Sequence, residues 1–97
     1  MERKYVIMTD DGPGHSDVFL SWNTEGSYYT TVDEVDEVNE YDVHSTIDEA
    51  ISRAKDADSG TLFGWQYPMT VVEVLNYEAV KEGEAPELKN ICKIIIN

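Results

Sequence analysis

Short apolar blocks separated by polar turns run the length of this chain. Tyr5-Val6-Ile7-Met8, flanked by Lys4 and Thr9 and ended by Asp10-Asp11-Gly12-Pro13-Gly14, has the β-branched and aromatic character of a buried first strand over 4–9. A loop follows to about residue 17. Val18-Phe19-Leu20-Ser21-Trp22 predicts a second strand, hairpin-paired with the first. The turn at 23–27 places Gly26 where a positive φ is expected. Tyr28-Tyr29-Thr30 is a short extended piece and a candidate third strand.

From Thr31 the period changes. Val32, Val35, Val38 and Tyr41 recur every third residue, and Thr31-x-x-Glu34 has the form of a capping box, so a short helix is expected at about 32–39. Valine is a mediocre helix former, and the carboxylates three and four apart repel one another, which leaves an irregular loop as the alternative. A second helix is expected at about 46–57. It is capped by Ser45-Thr46 with Glu49 three residues on, striped by Ile47, Ala50, Ile51 and Ala54, and stopped at Asp58-Ser59-Gly60. Residues 61–67 alternate weakly up to Pro68, and Met69 to Tyr77 predicts a strong strand. Gly83 and Pro86 among glutamates mark 78–90 as a mobile surface segment. Residues 91–96 are a terminal strand or a tail, and β-branched residues left in water favour the strand. The pattern is α+β: a small antiparallel sheet of four to five strands with one or two short helices packed on one face, in a single domain over 1–97.

Charge changes the picture more than composition does. At 41% apolar and 10% aromatic residues, the chain has enough to bury a core despite a net charge of −13. That charge is localised: residues 5–52 hold twelve of the twenty carboxylates and none of the seven Lys and Arg. Such acidity disfavours direct nucleic-acid and anionic-membrane contact and attracts basic protein surfaces. The single cysteine, Cys92, forms no internal disulfide, no run is long enough to span a bilayer, and no signal peptide is read at the start, so a cytoplasmic protein is expected.

Sites of other kinds are poorly supported. Asp10, Asp11, His15 and Asp17 offer metal ligands without EF-hand spacing, and the two histidines form no zinc motif. Gly12-Pro13-Gly14-His15 lacks the lysine and spacing of a phosphate loop. His44 with Ser45 or Cys92 has no local activation for nucleophilic catalysis. No enzyme activity, metal or cofactor is expected.

The order Tyr5-Val6-Ile7, Trp22, 31–41, Ser45-Thr46-Ile47-Asp48-Glu49-Ala50 and Val71-Val72-Glu73-Val74 resembles, across residues 4–76, small acidic proteins of tailed phages and prophages. The resemblance is to a class, which includes counter-defence inhibitors of the anti-CRISPR and anti-restriction type, some of them DNA mimics. It implies an inhibitor that binds the basic nucleic-acid-binding surface of a host defence nuclease or complex. On the residues themselves, Asp33, Glu34, Asp36, Glu37, Glu40 and Asp42 are the expected partner-binding ridge, with Tyr29 and Tyr41 as aromatic anchors. The alternative is a structural phage protein, acidic for solubility, that self-associates as a homodimer or larger oligomer through an edge near Pro68 or through 91–96.

Overall fold

The computed structural model describes residues 3–10, 17–59 and 68–94. The weakly alternating stretch at 61–67, the candidate ligands Asp11 and His15, the Gly12-Pro13-Gly14 turn and residues 95–97 lie outside them. The strands are β1 (Lys4–Thr9), β2 (Val18–Asn23), β3 (Tyr28–Val32), β4 (Met69–Val74) and β5 (Leu88–Ile94), with helices α1 (Ile47–Ser59) and α2 (Tyr77–Lys81). They form one antiparallel sheet in the order β3-β2-β1-β4-β5.

The sheet is sandwiched. Consecutive apolar residues in its central strands, Val6-Ile7 and Val71-Val72, are all fully buried, which requires cover on both faces. On one face Ala50, Ala54 and Ala57 of α1 pack over Tyr5, Ile7, Leu20, Met69 and Val71. Small side chains four and three apart let the helix lie close to the strands. On the other face Val35, Val38 and Val80 cover Val6, Phe19, Val72 and Val74. The helical pieces therefore divide between the two faces, where the sequence pattern had suggested one.

No helix forms at 32–39. Val32 completes β3 opposite Phe19, and the chain then makes two single 3₁₀ turns, Val35–Glu37 and Glu40–Asp42. The three-residue valine spacing suits this tighter winding, and two valines docked in the core satisfy it without a longer run of mutually repelling acids. The cap falls at Glu34, whose N–H donates to Glu37 Oε1, and not at Thr31. By contrast α1 starts as expected, with the Glu49 N–H donating to Thr46 Oγ1 and the Ser45 N–H to Glu49 Oε2, both at 3.1 Å.

The 78–90 segment carries most of α2, a hydrogen-bonded turn and the start of β5. After α2, the Gly83 N–H donates to the Val80 carbonyl and the Glu84 N–H to that of Ala79, a Schellman closure with Gly83 at φ 103°. Asn76 then staples the next turn: its Nδ2 donates to the Ala85 carbonyl and its Oδ1 accepts from the Glu87 N–H. β5 follows with a bulge opposite Val71 and Val72. At the 23–27 turn the positive φ belongs to Ser27, at 55°. A Cβ at Gly26 would stand 1.9 Å from the exposed Tyr28 ring, so a larger residue there makes that ring swing away.

One irregularity positions the candidate site. β1 pairs with β4 along its whole length but with β2 only at Met8–Phe19 and Thr9–Val18. Beyond that the two strands part, and residues 39–44 fill the gap as a wedge. His44 exchanges two backbone hydrogen bonds of 2.8 Å with Tyr5. Asn39 takes Ser21 Oγ with its N–H and the Trp22 carbonyl with Nδ2, at 2.9 and 3.0 Å.

Candidate functional site

The acidic stretch is displayed on a backbone anchored from below. Val35 and Val38 are buried, whereas Asp33, Glu34, Asp36, Glu37 and Glu40 around them are exposed. Five of the six acids expected on the ridge are thus exposed to solvent. A groove of about 340 Å³ adds a neighbour from elsewhere in the chain: Glu34, Val35 and Asp36 line one part of it and Val80, Glu84, Ala85 and Pro86 another. The acidic face therefore extends to the α2–β5 turn. Sequence reasoning missed this because the two segments lie some fifty residues apart and only the sheet brings them together.

Asp42 is a correction. It is fully buried at the head of the wedge, where it accepts the Trp22 N–H at 2.6 Å and the Arg53 Nε–H at 2.7 Å. A carboxylate with no exposed surface contacts no partner, and its work here is structural. Arg53, the first base after the base-free stretch, is the residue it serves. The Arg53 guanidinium carbon lies 4.9 Å from the Tyr29 ring centre and 5.7 Å from that of Trp22. Partial burial opposes its charge, but the bond and charge of Asp42 outweigh this and hold the guanidinium above its ordinary pKa.

The two tyrosines part company. Tyr29 is half-buried, edge-on to Trp22 at 4.8 Å between ring centres, with its hydroxyl donating to Asp56. Burial first, and then that bond, raise its pKa well above the usual phenol range. Tyr41 is 62% exposed. Together with Trp22, Thr24, Tyr29, Arg53 and Asp56 it lines an open depression of about 480 Å³ beside β3. An arginine stacked on aromatic rings, a tryptophan and an exposed tyrosine are the side chains that carry most energy at protein interfaces.

The chain matches no protein-family model, no curated protein and no solved structure.

His44, the remaining candidate for chemistry, is buried and sits opposite Tyr5 on the α1 side, near Glu49 and Arg53. Its Nε2 finds no hydrogen-bond partner among the described residues. Burial lowers its pKa; the Asp42 and Glu49 carboxylates pull the other way, and Arg53 adds to the lowering. Ser45 is exposed, and Cys92 lies on β5 at the far side of the sheet from the wedge, packed near Val71 and Ala50. The structure therefore brings together no nucleophile–base pair from His44 and Cys92. Among the described residues no group of three or more His, Cys, Asp or Glu is placed to hold a metal ion. Nor is any helix there long and apolar enough to cross a membrane.

Proposed function

We propose that this protein is a binding inhibitor of the phage counter-defence kind. It occupies the basic nucleic-acid-binding surface of a host nuclease or defence complex, in the host cytoplasm and without turnover. The observation that carries the reading is that Asp33, Glu34, Asp36, Glu37 and Glu40 are all exposed on a stretch of backbone pinned by buried Val35 and Val38. Exposed carboxylates of one sign repel one another and cost stability unless a cationic surface offsets them. A pinned array loses little conformational entropy on binding, which favours affinity. A cleft evolved to hold a phosphate backbone would accept such an array through the same lysines and arginines.

The test uses tagged full-length protein as bait in a bacterial lysate, beside a variant carrying Asp36→Lys, Glu37→Lys and Glu40→Lys. All three positions are exposed, and because Glu37 also accepts the Glu34 N–H, circular dichroism on the variant checks that the fold is kept. The wild type should capture a nucleic-acid-binding protein, block its binding to DNA or RNA, and associate about 10 to 1,000 times more slowly as salt is raised. The variant should capture none of it. Equal recovery by both proteins would refute the reading.

A further inference from the structure

Among the described residues, His44 Nε2 is the buried side-chain atom without a hydrogen-bond partner. The residue is 8% exposed and ends the wedge that parts β1 from β2, held by its two backbone bonds to Tyr5. A neutral imidazole tolerates this place, because one ring nitrogen then carries only a lone pair. An imidazolium does not: both nitrogens carry N–H groups, and a buried charge and donor without an acceptor are costly. The nearby carboxylates are committed. Asp42 holds the Trp22 N–H and Arg53, and Glu49 Oε2 holds the Ser45 N–H at the start of α1. Tyr5 stands opposite from β1, and Glu73, one strand further on, is paired with Arg3. Beside the ring, however, lies an open hollow of about 430 Å³, lined by His44 with Asp48, Glu49, Ser52, Arg53 and Asp56 of α1. Three carboxylates against one guanidinium make that hollow a better place for a charged ring than the buried one.

We infer that residues 39–44 form an acid-operated latch: on taking up a proton the His44 ring swings into the hollow on α1, and the wedge parts from Tyr5 while β1 stays paired with β4. The two pairings are separable. Tyr5 turns its N–H and C=O to His44, so Val6 turns its own to Val72 and keeps β1 on β4 when the wedge leaves. Local opening of such a unit takes less free energy than global unfolding. Acid drives it, because burial holds the closed ring's proton affinity below the ordinary 6.5, with Arg53 adding to this and Asp42 and Glu49 opposing it, whereas a ring in the hollow has no burial to overcome. The latch does not depend on the basic-partner reading, although Asn39, its first residue, anchors the downstream end of the acidic stretch.

The experiment follows the full chain by NMR over about two pH units below neutrality, reading the His44 ring resonance and amide-exchange protection corrected for the intrinsic pH dependence of exchange. Protection at the Tyr5, Trp22 and His44 amides should fall about tenfold per pH unit from pH 6.5 down to the ring's own inflection, and level off below it. Protection at Val6 and Val72 should hold. His44→Gln, which takes up no proton, should show no such fall. Should that variant fail to fold, the coincidence of the wild-type fall with the ring's titration decides alone. Equal loss at Val6 and Val72 would mean global unfolding and overturn the latch. So would protection that stays constant while His44 titrates, an equal fall in His44→Gln, or an inflection at 6.5 or above, the mark of a ring already in solvent.

Discussion

Removing the Asp42 carboxylate strands two groups at once, the Trp22 N–H and the Arg53 guanidinium. An exposed surface acid contributes almost nothing to stability, but a fully buried one whose partners lose their counterpart is another matter. Asp42→Ala should therefore destabilise the fold by about 3 kcal/mol, read from urea denaturation, whereas Asp36→Ala should leave the midpoint nearly unchanged. His44 gives the residue scale its pH dependence. Its folded-state pKa lies below the ordinary 6.5, so the unfolded chain binds the proton more readily. The contribution is fully present above pH 6.5 and is lost as the pH falls through the folded-state value. The wild type should lose stability between pH 7.5 and pH 5.5 relative to His44→Gln, as shown by paired denaturation curves at the two pH values.

At the scale of elements, the C-terminal turn rests on one backbone conformation. Gly83 has φ 103°, and a Cβ there would meet nothing within 4 Å, so the cost of Gly83→Ala is conformational and not steric. It should be about 1 kcal/mol by thermal unfolding, with faster exchange at the Glu84 amide as the Schellman closure loosens. That turn also shows what a sequence hides. Glycine, proline and glutamate at 82–87 have the composition of a loose loop; the order comes from the Schellman closure at Gly83 and from Asn76, whose side chain bonds groups 9 and 11 residues away. The strands at 4–9 and 18–22 and the helix from 47 were legible because burial imposes its period on them directly. The stretch from 31 to 42 was legible in charge and not in conformation, since valines three apart suit one turn of 3₁₀ helix as well as two of α. Nothing local separated Asp42 from the acids beside it. Its partners come from β2 and α1, and its burial is a property of the wedge.

Over the whole molecule, the charge is arranged against the core's interest. The acids of 33–40 lie on the cover over one face of the sheet, with Glu84 exposed beside Glu34 and Asp36, so packing offsets repulsion that a mixed surface would avoid. Screening by salt acts oppositely on the two sides of that balance, relieving the free protein while weakening its attachment to a basic partner. The order of the strands carries a further cost in time. β1, near the start of the chain, sits at the centre of the sheet, and its full-length partner is β4, with Lys4 opposite Val74. On a ribosome, Tyr5, Val6 and Ile7 emerge on the order of ten seconds before the residues that will cover them. During that interval a strand that ends at the centre of the sheet has no full-length partner. Until β4 follows, the newborn chain carries the apolar run Tyr5-Val6-Ile7 without the strand that pairs with it along its whole length.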